Sequence, residues 1–244
     1  DAGATSVFVD VEQGGKTLVR VVDDGHGMVR EDATLAIRRH ATSKLRVVED
    51  LRAIGTLGFR GEALPSIASV SRFRLMTRAE GDITGTEVVI EGGQEPVVKD
   101  AGGPVGTRIE VRDLFYNVPA RLKFLKRTAT EMGHISTLLT GAALGYPHVH
   151  FRLTHNGRTS LDHPVAPSLR QRIFQVLGRR ITEHLYEVSL DQPLRIRGYI
   201  SDPTFHRPNQ TGITTFVNGR RIRDRVVNHA MVSAYGNLLD RGRY

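Results

Sequence analysis

The stretch with the clearest capacity for chemistry is Asp23-Asp24-Gly25-His26-Gly27. It follows Leu18-Val19-Arg20-Val21-Val22, an apolar, β-branched run that reads as a strand. A carboxylate therefore stands where a strand ends, with two glycines spaced by two behind it. Such a carboxylate can accept a hydrogen bond from a ligand amine, and glycine backbone lets a ring approach where a Cβ would block it. An Asp-Gly pair after a strand is also an ordinary turn, and Asp24 reads as a turn residue. The functional reading of Asp23 depends on what lies downstream.

Downstream is the run Gly55-Thr56-Leu57-Gly58-Phe59-Arg60-Gly61-Glu62-Ala63-Leu64, from which a helical pattern continues over Glu62 to Val70 with Pro65 in its first turn. A glycine-rich loop that opens a helix presents backbone N–H groups and the positive end of the helix dipole, the makings of a phosphate cradle. The spacing is not GxxxxGK[ST], nor GxGxxG after the first strand, so neither a P-loop nor a Rossmann site is present. Arg60 fits a phosphate clamp or an ordinary surface or lid arginine equally well, and Glu62 reads as a stabiliser of the helix start. Between the two runs, Thr42, Ser43 and Lys44 supply hydroxyls and a cation, and Thr107 puts a hydroxyl at a strand start. Combined, Asp23 reads a base amine, Gly25 and Gly27 admit the ring, and Gly58, Phe59, Arg60, Gly61, Glu62, Ala63 and Leu64 hold phosphates.

The elements that must position these groups follow from periodicity. Residues 6–12 alternate with Val7, Val9 and Val11 on one face, and Gly14-Gly15 turns the chain into a second strand over 17–23. Helical spacing over Glu31 to His40 follows, then a short helical piece over Val47 to Ile54. Strands are predicted at 72–78, 85–91 and 107–112, with a Gly- and Pro-rich loop over 92–106. A helix opens with Asp113 to Arg121, in which Phe115 and Tyr116, with the nearby Phe124, read as core, and a longer one covers Thr130 to Leu144. Asn156-Gly157 marks a hairpin between strands over 148–154 and 158–161. The pattern breaks at Pro164 to Pro167, which divides the chain into 1–164 and 165–244. The second part has a helix over 168–177, strands near 185–190, 194–201 and 213–217, a hairpin turn at Asn218-Gly219 and a helix over 224–239.

Composition sets the class. The 244 residues hold 34 Lys+Arg against 26 Asp+Glu, a net charge of +8, and no cysteine. Disulfides and thiolate metal sites are thereby excluded, and no run reaches the length of a membrane span. The arginine-rich excess suits phosphate-bearing partners, or a solvated basic surface. His148 and His150 would share a strand face, but no third ligand stands near, so no metal centre is expected. A start at Asp1 and an end at Tyr244 read as a segment of a longer protein.

The runs DAGAT (1–5), DDGHGM (Asp23 to Met28), RHATSK (39–44), LGFRGEAL (57–64), VGTRIEV (105–111), DLFYNVPAR (113–121) and VNGRRIRD (217–224) resemble the MutL family of DNA mismatch repair proteins. That family belongs to the ATPase superfamily shared with DNA gyrase B, a heat-shock chaperone and histidine kinases. The resemblance implies a left-handed nucleotide-binding α/β sandwich with a mixed sheet, followed by a smaller ribosomal-protein-like α/β domain. It implies that Asp23 bonds the adenine amine of ATP, directly and through water shared with Thr107. It also implies that Gly25, Gly27, Met28 and Gly58 to Leu64 line the pocket, and that Thr42 to Lys44 belong to a lid. Mismatch-recognition protein MutS, an N-terminal homodimer in the ATP-bound parent, DNA bound without sequence preference and a cytoplasmic, nucleoid-associated location come with it.

The family's water-activating glutamate and Mg²⁺-holding asparagine precede DAGAT, and its γ-phosphate lysine follows the last residue here. The resemblance therefore implies that the parent hydrolyses ATP with Mg²⁺ while these 244 residues alone do so very poorly. Arg220, Arg221, Arg223 and Arg225, with Arg121 and Lys123, are the candidate DNA contacts. A gyrase-type topoisomerase subunit and a nucleic-acid-binding module with an inactive pocket are the rival readings.

Overall fold

The computed structural model describes residues 1–38, 61–240 and 242–244. Strand β1 (Ser6–Glu12) turns into β2 (Leu18–Asp23), then come α1 (Arg30–Ala36) and α2 (Ala63–Ala68). Four strands follow, β3 (Arg72–Arg78), β4 (Gly85–Glu91), β5 (Val97–Ala101) and β6 (Gly106–Arg112). Next are α3 (Pro119–Leu122), α4 (Thr128–Gly145), β7 (His150–His155) and β8 (Arg158–His163). The remainder comprises α5 (Leu169–Leu177), α6 (Arg179–Thr182), the ribbon β9 (Leu185–Leu190) and β10 (Ile196–Ser201), the hairpin β11 (Thr215–Val217) and β12 (Arg220–Ile222), and α7 (Arg225–Ala234). The helical piece predicted over 47–54 lies outside the described residues.

Among the described residues β1 to β8 form one sheet of eight strands in the order β5-β4-β3-β6-β2-β1-β7-β8. Only β1 and β7 run parallel within it. One face carries the helices, because the strands alternate. Val9 and Val11 of β1, with Phe151 and Leu153 of β7, meet Leu139 and Ala143 of α4. Phe73 and Leu75 of β3, with Val88 and Ile90 of β4, meet Ala33 of α1 and Ala68 of α2. Burying each such large side chain contributes about 1.5–3 kcal/mol, so the helix layer is held by apolar area.

The opposite face is a ladder of charge. Asp10 lies opposite Arg20, Arg20 opposite Glu110, and Glu110 opposite Arg74. Glu110 and Glu87 are almost fully buried beneath arginines and a lysine, Lys99 Nζ lying 2.7 Å from Glu87. Burial opposes ionisation of Glu87, but hydrogen bonds from Lys99 and Arg74 outweigh it and hold the carboxyl below its ordinary range.

Several elements differ from the sequence prediction. Strand β5 falls inside the segment 92–106 predicted as loop. It forms because Val98 reaches the apolar cluster while Lys99 pairs with Glu87, a tertiary pairing that flanking glycines and Pro96 conceal. The last helix ends at Ala234 and continues only as a 3₁₀ turn over Gly236–Leu238. His148 lies before β7 rather than on it, and His150 bonds Asp162 at 2.7 Å. Tyr116 and Phe124 are not core, with exposures of 39 and 79%. Phe115 is half-buried under Arg121, whose guanidinium carbon is 4.6 Å from the ring centre.

Past His163 the chain leaves the large sheet, and Arg172 ties it back. Its guanidinium, fully buried in α5, donates to the carbonyls of His163, Pro147 and Val149 and to Gln175 Oε1 at 2.6–2.9 Å. No carboxylate is among these partners, so the cation is held by three backbone carbonyls and one side-chain amide, all neutral dipoles. Replacing it by methionine strands those carbonyls, and Arg172→Met is expected to destabilise the fold by on the order of 3 kcal/mol in urea unfolding. A change under about 1 kcal/mol would show that water replaces the guanidinium at no cost.

Candidate functional site

Pairing in the sheet assembles a polar row at one end of the helix-bearing face. Asp23 lies opposite Thr107, Thr107 opposite Thr77, and Thr77 opposite Thr86. These residues share the parity of Val21, Ile109, Leu75 and Val88, so a column of core positions ends in hydroxyls and a carboxylate. Thr77 is buried; its hydroxyl donates to the Gly106 carbonyl at 2.9 Å and lies 3.1 Å from that of Thr107. It also accepts the amide of Met28 at 2.9 Å. The sequence reading missed Thr77, although a polar residue that continues the inward parity of Phe73 and Leu75 was its signal.

Asp23 is half-buried and accepts the Gly25 amide at 3.0 Å. Burial raises its pKa above the ordinary aspartate value, and backbone hydrogen bonds from Gly25 and Thr107 pull less strongly the other way. Asp24 does more than turn the chain. Its carboxylate takes the Thr5 hydroxyl and amide and the Ser6 amide at 2.6–2.8 Å. Burial opposes ionisation there too, yet those bonds hold the carboxyl at about 2.

The two glycines answer to the protein's own backbone. A Cβ on Gly25 would stand 2.7 Å from the Ala2 carbonyl oxygen, and one on Gly27 (φ 68°) would stand 1.9 Å from that of Arg78. The first five residues are thus pressed onto the motif, with the His26 amide donating to Ala2 at 2.9 Å. Met28 from this motif and Leu64 from α2 pack against the same apolar cluster, so the motif loop and the helix after the glycine run border one region. Gly61, Glu62 and Ala63 enter α2, with Glu62 at its N-cap. Thr42, Ser43, Lys44, Gly58, Phe59 and Arg60 lie outside the described residues. Among the described residues no group of three His, Cys, Asp or Glu could hold a metal ion.

The cationic candidates divide. Arg221 is half-buried and donates to the Thr137 carbonyl of α4 at 3.0 Å, seated where a Cβ on Gly141 would collide with it. Arg220 is half-buried, whereas Arg223, Arg225, Arg121 and Lys123 face solvent. Arg221 thus docks the β11–β12 hairpin, and the exposed charge lies on either side of it.

Comparison with known proteins gives the arrangement its relatives. Residues 1–100 match the family described as histidine kinase-, DNA gyrase B- and HSP90-like ATPase, and residues 173–244 match the DNA mismatch repair protein C-terminal domain. A solved structure of the Aquifex aeolicus MutL ATPase domain complexed with ADP is 31% identical, with a TM-score of 0.71 over 96% of this chain and 81% of that one. The chain belongs to the MutL family of DNA mismatch repair proteins. The MutL protein of Syntrophotalea carbinolica is 52% identical across 100% of this chain, which spans 39% of that relative's length. The crystal structure of the N-terminal domain of a DNA repair protein shares the fold, with a TM-score of 0.78 at 22% identity over 98% of this chain and 76% of that one. The mixed α/β sandwich expected from the resemblance is therefore the observed fold, and MutL membership displaces the gyrase-type reading. No helix among the described residues is long and apolar enough to cross a membrane.

The raised pKa of Asp23 carries a sign that can be checked. Ionised Asp23 costs the unliganded fold stability at neutral pH; the cost is removed progressively as pH falls through the folded-state value and is gone below the ordinary aspartate value. Asparagine keeps the acceptor for Gly25 and cannot ionise. Asp23→Asn is expected to raise the melting temperature without nucleotide at pH 7, with the gain vanishing at acid pH. A pH-independent drop would mean that the carboxylate is a structural anchor.

Proposed function

We propose that this chain is the nucleotide-responsive part of a MutL protein: it binds ATP at the Asp23–Thr107 end of the sheet and contacts DNA without sequence preference. The observation that carries this reading is the half-buried carboxylate of Asp23 opposite Thr107, costly when ionised, with Met28 of the same loop and Leu64 of α2 packed on one apolar cluster. A donor group such as the adenine amine relieves that cost. Gly25, Gly27 and Met28 would lie against the base, with Gly58, Phe59, Arg60, Gly61, Glu62, Ala63 and Leu64 around the phosphates. Thr42, Ser43 and Lys44 would belong to a lid that orders over them. The ADP held by the Aquifex relative supports the same ligand class.

The proposed division is an ATP-binding unit over 1–164 and a second, DNA-contacting unit over 165–244, supported by the close of the large sheet at His163 and the restart at α5. Exposed Arg223 and Arg225, with Arg121 and Lys123, suit phosphate contact, and half-buried Arg220 stands beside them. In the parent protein we infer ATP-driven N-terminal dimerisation, MutS as partner and a cytoplasmic, nucleoid-associated site of action. The resemblance puts the water-activating glutamate outside the sequence given, so these 244 residues tested alone are expected to bind nucleotide and turn it over slowly. Turnover at a parent's rate would refute this.

Calorimetry with ADP and a non-hydrolysable ATP analogue tests the site. Binding is expected for the native chain, and Asp23→Asn is expected to weaken it by about 1–3 kcal/mol. No binding by the native chain would instead favour a nucleic-acid module with an inactive pocket. For DNA, affinity should fall steeply between about 50 and 200 mM salt, and an Arg223→Glu, Arg225→Glu double substitution should shallow that slope. Salt-independent binding would remove the phosphate-contact reading.

A further inference from the structure

The hydroxyl row beneath Asp23 has a fixed direction. A threonine hydroxyl has one proton to donate and two lone pairs. That of Thr77 stands 2.9 Å from the Gly106 carbonyl oxygen, 2.9 Å from the Met28 amide nitrogen and 3.1 Å from the Thr107 hydroxyl. A carbonyl cannot donate. If Thr77 turned its proton toward Thr107, two lone-pair-bearing oxygens would face each other at 2.9 Å in a side chain 2% exposed, a buried mismatch that is costly. The arrangement that satisfies all three contacts has Thr77 donating to Gly106, accepting from Met28, and accepting the proton of Thr107.

We propose that Thr77 is a specificity-determining positioning residue: by taking the Thr107 proton it leaves only acceptors facing a bound base, and so favours adenine over guanine. The inference rests on the nucleotide reading above. Thr107 keeps only lone pairs for the ligand, and Asp23 as a carboxylate has nothing else to offer. At its six position adenine carries an amine with two N–H donors, whereas guanine carries a carbonyl there. Acceptors meet donors in the first case and lone pairs in the second. Thr77 itself touches no ligand. It acts through Thr107, and a hydroxyl freed from Thr77 could rotate and donate to a guanine carbonyl.

The test is the ratio of ADP to GDP affinity, measured by calorimetry on the whole chain for the native protein, Thr77→Ser and Thr77→Val. The native chain should prefer ADP, and Thr77→Ser should keep the preference. Thr77→Val should shrink it by roughly tenfold, the worth of one hydrogen bond of the wrong polarity. In a Thr107→Val background no hydroxyl is left to turn, so adding Thr77→Val should leave the ratio where it stands. If Thr77→Val weakens both nucleotides equally at an unchanged ratio, Thr77 is only a strut and the proposal fails. It also fails if the ratio shifts by the same factor with and without the Thr107 hydroxyl. A native chain that binds neither nucleotide overturns the underlying site reading as well. Should Thr77→Val not fold, Thr77→Ala carries the same comparison.

Discussion

The carboxyl of Asp23 is half-buried at the end of β2, where burial raises its pKa, and contacts made by its chain neighbours fix the backbone around it. Asp24, next in the chain, is bound so firmly to Thr5 and Ser6 that its carboxyl stays ionised to a pH of about 2. That anchor presses residues 1–5 against Gly25, while Gly27 lets the loop cross the Arg78 backbone at a distance closed to any side chain. Two adjacent aspartates thus have opposite electrostatics. Hydrogen bonds lower the pKa of one, whereas burial raises that of the other above the ordinary value. A carboxyl of the second kind is a candidate binding group.

The two faces of the sheet solve different problems. The helix-bearing face gains apolar area, and its strand register carries straight on into the polar row, so the same pairing that aligns Phe73 with Val111 also sets Thr77 opposite Thr107. The other face lacks a helix layer among the described residues and is closed instead by charge. There the buried groups are the acids, Glu87 and Glu110, and the more exposed groups are Arg74, Lys99 and Arg108. Each acid keeps two or more cationic partners, which outweighs desolvation. Such a face is bound up in its own network, whereas the polar row of Asp23, Thr107, Thr77 and Thr86 lies on the other side of the sheet.

How much of this could be read from residues alone varies with the distance over which the information is stored. Val7, Val9 and Val11 alternate in the sequence and form the inner face of β1, because strand periodicity is local. Ser168 caps α5 by accepting the Gln171 amide, again a signal within three residues. Strand β5 was hidden because its stabilising partners, Glu87 and the apolar cluster, lie outside the segment itself, across the glycine turn, in β4 and beyond. Phe124 was misplaced for a related reason: an aromatic residue between Lys123 and Lys126 has no periodic partner to say which way it points. In the site, Asp23 and Thr107 stood out as residue types at strand ends, and the resemblance joined them. Thr77 did not stand out, since its role exists only once β3, β6 and the Met28 loop meet.

The same distinction clarifies the VNGRRIRD hairpin. Four arginines over 220–225 look like one cationic patch in sequence, but the strand pair β11–β12 turns them to different tasks. Gly141 and Gly145 on α4 leave room for Arg221 and Phe216 to approach the helix, and the Tyr146 hydroxyl reaches the Gly219 carbonyl at 3.3 Å. An arginine whose guanidinium caps a helix carbonyl while its stem fills the space over a glycine is a packing element as much as a charge. Helix α4 also packs against β1 and β7, so Arg221 links the hairpin to the sheet whose strand β2 ends in Asp23. A loss of DNA affinity on changing Arg221 would therefore say little about phosphate contact, whereas Arg223 and Arg225 can report on it without disturbing that joint.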